Sequence, residues 1–363
     1  MNAGPLVSVV LPVHDGEQYL AAAIDSILRQ THAHFELIVI DDGSGDGSAA
    51  IAASYVDPRL RVVRNERNLG LVETLNRGIE LARGEFIARM DADDIAAPER
   101  LALQVQHMVA EPELAVLGTN ITYADATGSV VGRPRGLPCG PALVRWRLLR
   151  GTCLYHPTVM LRRAALGDER YSAQFIHAED YDLWLRLSRR HRLDNLPQSL
   201  LLHRRHGQSV SARHLETQLD SAARSLRGHV QERYGLALTP GQARALLDPR
   251  AFLERRSEAA DSPVPVVREL ERRFRAVEAG ASPDELSAVR RDVAFVCWKV
   301  AALCFVHWRD GVLPARRLRT LAACGVTLLG RPIAAVSALY GDQRQRRYFS
   351  ASPRRPGTFD VTK

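Results

Sequence analysis

The run Met90-Asp91-Ala92-Asp93-Asp94 places three carboxylates within four positions, directly after Glu85-Phe86-Ile87-Ala88-Arg89. A short apolar run entered through Gly84 predicts a buried strand over residues 85–89. Unpaired, partly desolvated carboxylates at the end of such a strand are costly, so a bound cation is the expected partner. Asp91 and Asp93 alternate along extended backbone and share one side, an arrangement that suits Mg²⁺ or Mn²⁺ carrying substrate phosphates. Asp94 stands near the helix expected from Pro98, and capping that helix is its alternative role.

Two further acidic pairs carry chemistry. Asp41-Asp42-Gly43-Ser44 closes a strand predicted over residues 35–40. Its carboxylates suit a nucleobase N–H or ribose hydroxyls, with Gly43 permitting close approach; a plain turn is the competing reading. Glu179-Asp180 opens an amphipathic segment carrying Tyr181, Trp184, Leu185 and Leu187. A carboxylate there can accept a proton, or simply complement a helix amino terminus.

These clusters need elements to position them. Strands are predicted over residues 6–11, 35–40, 60–63, 85–89 and 115–118, and helices over 18–28, 48–55, 71–82 and 98–109. Strands alternating with helices imply a mainly parallel α/β sheet with ligands at the strands' carboxyl ends. Residues 128–140, rich in Gly and Pro, are expected to form a mobile loop over the site. Beyond Ser211 the texture becomes helical and Arg-rich, with a nearly all-round apolar helix over 293–308. The expected division is a catalytic domain over 1–211, a helical domain over 212–349 and a disordered tail over 350–363.

The 363 residues, 46% hydrophobic and 25% charged, suit a two-domain globular protein. The net charge of +8 comes with no nucleic-acid-binding motif, so nucleic acid is not an expected partner. Five scattered cysteines without CxxC spacing fit reduced thiols in a cytoplasmic protein. No signal peptide or spanning helix is read. Core helices packing together account for the apolar segments near the carboxyl end, and peripheral contact with the inner membrane surface through flanking arginines is the alternative.

In order, the chain carries Ser8-Val9-Val10-Leu11-Pro12-Val13-His14-Asp15-Gly16-Glu17, Phe35-Glu36-Leu37-Ile38-Val39-Ile40-Asp41-Asp42-Gly43-Ser44, Asn68-Leu69-Gly70, Leu75-Asn76-Arg77-Gly78-Ile79 and the Asp91–Asp94 cluster. His156-Pro157-Thr158, Ala178-Glu179-Asp180-Tyr181-Asp182-Leu183-Trp184 and Arg204-Arg205-His206-Gly207 continue the pattern. This combination resembles the family 2 glycosyltransferases over roughly the first 211 residues.

The resemblance implies a GT-A fold and inverting transfer from a nucleotide-sugar donor, UDP-linked by expectation, to a glycan or lipid-linked saccharide acceptor. It places Pro12, Val13 and Asp42 around the base, with Asp41 and Glu17 close by. Asp91 and Asp93 meet the ribose and the diphosphate-bound Mg²⁺ or Mn²⁺, His206 reaches the metal or diphosphate, and Asp180 is the general base with Glu179 beside it. Arg204 and Arg205 are candidates to neutralise phosphate, and His156 to line the acceptor pocket. His14-Asp15 departs from the family's frequent Tyr-Asn. The Gln-x-x-Arg-Trp signature of processive synthases is absent, which favours addition of a single sugar.

A sugar-nucleotide pyrophosphorylase would want a Gly-rich, Lys/Arg-bearing loop where Val13-His14-Asp15-Gly16 stands. A catalytically inactive nucleotide-sugar-binding protein is the reading from another class, and Glu179-Asp180 argues against it.

Overall fold

The computed structural model describes residues 4–134, 137–205, 214–248 and 263–309. The expected alternation is present as β1 (Val7–Val13), α1 (Leu20–Leu28), β2 (Phe35–Asp41), α2 (Ser48–Ala53), β3 (Leu60–Arg64), α3 (Leu71–Leu81) and β4 (Phe86–Arg89). It continues through β5 (Ile95–Ala96), α4 (Arg100–Ala110), β6 (Leu114–Ala124), β7 (Val130–Gly132), α5 (Pro141–Leu148), β8 (Met160–Arg162), α6 (Arg163–Leu166), α7 (Glu179–Leu187) and β9 (Arg192–Arg204). The sheet order is β3-β2-β1-β4-β8-β6-β9-β5, with β7 beside β6. The ladders β3–β2–β1–β4 and β6–β9 are parallel, and β8 joins the two blocks by running antiparallel to both β4 and β6.

Every position of β1 and β2 is buried, because helices cover both faces of the sheet. Val9, Leu11, Leu37 and Val39 cluster with Leu20, Ile24 and Ile27 of α1 and with Leu101 and Met108 of α4. On the other face Val10 and Ile40 press against Gly78 of α3 so closely that an added Cβ would overlap the Val10 side chain. The glycine lets the helix approach the sheet.

Away from the strands' carboxyl ends, register pairs Ser8 with Glu36. Ser8 Oγ donates to Glu36 Oε1 at 2.6 Å, and Arg83 donates to Oε2 through Nη2 at 2.7 Å and Nε at 2.9 Å. Burial opposes ionisation of Glu36, but the bonds from Arg83 and Ser8 outweigh it and hold the carboxyl below its ordinary range. A depressed carboxyl stabilises the fold above its unfolded pKa, and that contribution is lost as pH falls through the folded value. Glu36→Gln is therefore expected to lower unfolding free energy near neutral pH by about 1–3 kcal/mol, with the gap to wild type closing in acid. Urea titrations at pH 7 and below pH 4 measure it, and a gap independent of pH would refute the linkage.

The segment expected to be a mobile loop begins instead as a hairpin. Val130 pairs with Ala124 and Gly132 with Tyr123, and Asp125 Oδ1 closes the turn by accepting from Thr127 N at 2.9 Å and Ser129 N at 3.1 Å.

Two compact units divide the described residues, one through Val144 and again over Thr152–Leu215, the other taking Arg145–Gly151 and the described residues from Glu216. The second unit contains α8 (Leu215–Tyr234), α9 (Pro240–Leu247), α10 (Pro263–Val277) and α11 (Pro283–Arg309), apart from Leu215 itself. Val264, Val267, Leu270 and Phe274 recur at helical spacing on the buried stripe of α10. Buried Asp292 of α11 accepts from Trp146 Nε1 at 2.8 Å and pairs with Arg147 and Arg150, so the segment 145–151 belongs chemically to the helices. Among the described residues no helix is long and apolar enough to cross a membrane. The expectations for His206 and for the tail over 350–363 lie outside the described residues.

Candidate active site

Parallel register brings the carboxyl ends of β1 and β2 side by side, with Pro12 opposite Ile40 and Val13 opposite Asp41. The loops that follow are laced together reciprocally. Asp15 N donates to Ser44 Oγ (3.1 Å) and Gly45 N to Asp15 Oδ1 (2.8 Å); Glu17 N donates to Asp46 Oδ2 (2.9 Å) and Gly47 N to Glu17 Oε2 (2.7 Å). Glu17, expected beside the base, thus holds the second loop against the first.

Asp41 and Asp42 are both buried. Asp41 Oδ1 accepts from Ser44 N at 3.0 Å, and its Oδ2 lies 3.0 Å from Arg64 Nε. Asp42 Oδ1 accepts from Asn65 Nδ2 (2.6 Å) and Leu69 N (2.9 Å), while Oδ2 accepts from Gly70 N (2.9 Å). One carboxylate thereby organises the whole Asn65–Gly70 turn. His14 Nδ1 donates to Asp42 O at 3.0 Å, which leaves Nε2 to accept from Asn68 Nδ2 at 2.9 Å. The His14 departure therefore supports the same turn. Gly43, at φ 68°, passes so close to the Arg67–Asn68 backbone that a side chain there would collide with it.

The acidic cluster at the end of β4 is not left to a metal alone. Asp91 pairs with Arg89, a β4 residue that is 4% exposed. Behind them Arg100, fully buried, donates through Nη2 to Arg89 O at 2.6 Å, and burial beside Arg89 pushes its pKa down to about 9. Asp94 does not cap α4, whose amino end has no side-chain cap. It is fully buried and reaches across to β9, accepting from Arg204 N at 2.9 Å and from His203 Nδ1 at 3.1 Å. Burial pushes the Asp94 carboxyl up, and His203 opposes that shift.

Arg204 donates to Asp93 O at 2.8 Å and lies over the Tyr19 ring, 4.9 Å from its centroid. Its guanidinium therefore fixes the Asp93 turn, whereas exposed Arg205 lies over Tyr123. Asp91, Asp93 and Asp94 each offer an oxygen within 4.8 Å of the others, and Asp91 and Asp93 are only half-buried. This all-oxygen donor set fits a hard divalent cation, with Asp91 and Asp93 as its accessible members.

Glu179 and Asp180 begin α7. Glu179 is buried and Asp180 half-buried, with Asp180 Oδ1 accepting from Tyr181 N at 2.6 Å. Burial, then the neighbouring Glu179, push Asp180 up to about 7. Arg89 acts on both carboxylates as well as on Asp91, so one buried cation lies within electrostatic reach of both acidic groups.

His156 Nε2 bonds the Tyr171 hydroxyl at 2.9 Å, and its ring meets Trp184 of α7 edge-on at 6.0 Å. Tyr171 is clamped by Asn76 of α3, which accepts from Tyr171 N at 2.9 Å and donates to Tyr171 O at 3.0 Å. Arg89 and Tyr171 were not among the expected site residues. Arg89 had a signal, a charge inside an apolar strand two positions from a carboxylate; Tyr171 had none, since its partner lies 95 positions away.

Residues 8–169 match the profile of the family described as Glycosyl transferase family 2. The chain is 37% identical over 192 residues to the putative glycosyltransferase EpsE of Bacillus subtilis, covering 51% of this chain and 68% of that protein. It is 32% identical to the Escherichia coli UDP-Glc:alpha-D-GlcNAc-diphosphoundecaprenol beta-1,3-glucosyltransferase WfgD, covering 50% and 68%. The S. aureus TarS 1-349 crystal structure in complex with UDP-GlcNAc superposes with a TM-score of 0.54 at 19% identity, over 84% of this chain and 92% of that one. The expected GT-A architecture is thus present; the Asp91–Asp94 cluster follows β4, and Glu179-Asp180 open α7. On sequence and fold together, the chain belongs to glycosyl transferase family 2.

Proposed function

We propose that this glycosyltransferase transfers a hexosyl or related sugar, with inversion, from a nucleotide-diphosphate sugar to a hydroxyl of a glycan or lipid-linked saccharide. The product would enter cell-surface polysaccharide or glycolipid synthesis at the cytoplasmic face. UDP as the nucleotide and a saccharide-diphospholipid as the acceptor are supported by the name of WfgD. The observation that carries the reading is Asp180, a carboxylate pushed up to about 7 within electrostatic reach of the cation that also pairs with Asp91.

In the transfer, an acceptor hydroxyl attacks the anomeric carbon from the face opposite the nucleoside diphosphate, and its proton passes to Asp180. A pKa near the working pH suits that role. Glu179 keeps negative charge beside Asp180 and so sustains its basicity. Asp91 and Asp93 would hold Mg²⁺ or Mn²⁺, which when bound neutralises charge growing on the departing diphosphate. Pro12, Val13 and Asp41 border the base site under this reading. The helical domain over 212–349 would then serve the acceptor or a membrane surface.

A donor-hydrolysis screen over UDP-, dTDP- and GDP-sugars tests it. Turnover of a UDP-sugar with Mg²⁺ or Mn²⁺, abolished by EDTA and restored by adding the ion back, is expected. No hydrolysis of or binding to any donor would overturn the reading.

A further inference from the structure

The His156–Tyr171–Trp184 cluster is built as a support for one imidazole, and that imidazole has work left over. Its Nε2 is committed to the Tyr171 hydroxyl at 2.9 Å. Tyr171 is 4% exposed, and its backbone is bonded twice to Asn76. The Trp184 ring, one helical turn beyond Asp180 on the same face of α7, limits the imidazole from a second direction. Three elements distant in sequence therefore fix one ring. Yet His156 is half-buried rather than sealed, and its Nδ1 has no hydrogen-bond partner among the described residues. A histidine serving only the core would be enclosed and would use both nitrogens.

We propose that His156 is a specificity-determining residue whose Nδ1 hydrogen-bonds a sugar hydroxyl beside the reacting pair, with Tyr171 as the positioning residue that aims it. The assignment rests on the glycosyltransferase reading above. Burial and the nearby Arg89 hold the imidazole neutral, so it offers a dipolar contact rather than a charge. The hydroxyl belongs either to the donor sugar or to the acceptor, and the two sources separate experimentally.

Two amide substitutions divide the two nitrogens. In His156→Asn the side-chain amide overlays Nδ1, keeping the outward contact while giving up the bond to Tyr171. In His156→Gln the amide reaches the Nε2 position, keeping the inner bond while giving up the outward one. His156→Gln is expected to lower kcat/KM about tenfold or more, with His156→Asn within about threefold of wild type, the size of one hydrogen bond lost at a substrate hydroxyl. A merely structural role predicts the reverse order. Tyr171→Phe should lower kcat/KM in wild type and have no further effect in a His156→Ala background.

Circular dichroism and titration with UDP check that each variant folds and keeps the nucleotide site. Loss in donor hydrolysis as well as in transfer to a panel of free monosaccharides assigns the hydroxyl to the donor; loss in transfer alone assigns it to the acceptor. If the wild type is active and His156→Gln matches it within twofold, or His156→Asn is the more damaged, the assignment of His156 falls alone. A wild type inactive on every donor overturns the functional reading, and this one with it.

Discussion

Asp180→Asn is expected to bind a donor with unchanged affinity and to transfer sugar more slowly by a factor on the order of 10²–10⁴, the usual contribution of a positioned general base. The amide is close to isosteric and keeps an oxygen for Tyr181 N, so α7 should still start at the same place. What disappears is the proton acceptor. The sign of the pH dependence follows from the raised pKa: the base works when deprotonated, so wild-type turnover should rise with pH through about 7 and level off above it. In Asp180→Asn that limb should be absent. Turnover at the wild-type rate, or an unchanged limb, would remove Asp180 from the mechanism. Glu179→Gln is the informative companion, because loss of a like-charged neighbour should move the limb to lower pH.

The second large effect concerns Asp42. Asp42→Ala should lower unfolding free energy by about 3–5 kcal/mol, since three donors from the Asn65–Gly70 turn lose one buried acceptor together. Asp42→Asn should fall between, because its amide retains one accepting oxygen. Denaturant titration measures the stability, and nucleotide titration the affinity. If Asp42 instead met the base directly, as the motif alone suggests, Asp42→Asn would leave stability unchanged and alter only nucleotide preference. The geometry favours loss of stability, with weaker binding following from a loosened turn.

Part of this arrangement is legible in the sequence, and part is not. Asp41-Asp42 was legible as a strand-end pair because the Leu37–Ile40 run of β2 is apolar and ends abruptly in charge. Which carboxylate organises the turn was not legible, because Asp42 takes its donors from 23 to 28 positions away. The Asp91–Asp94 cluster repeats the lesson. Its location at a strand end followed from Gly84 and the apolar run. Asp94, however, is bound by Arg204, 110 positions away, and Arg204 also donates through Nε to Asp93 O.

By itself, the sequence determined the alternation of strands and helices, the two acidic groups that follow β2 and β4, and the acidic pair that opens α7. Those features are local: period, run length and the charge that ends a run are written in neighbouring residues. Only the tertiary structure decided the distant partners, placing Asn65 on Asp42, His203 on Asp94 and Tyr171 beneath His156. Such pairings depend on which elements pack side by side in the sheet. A buried charge or polar group then bonds whatever that packing brings within reach.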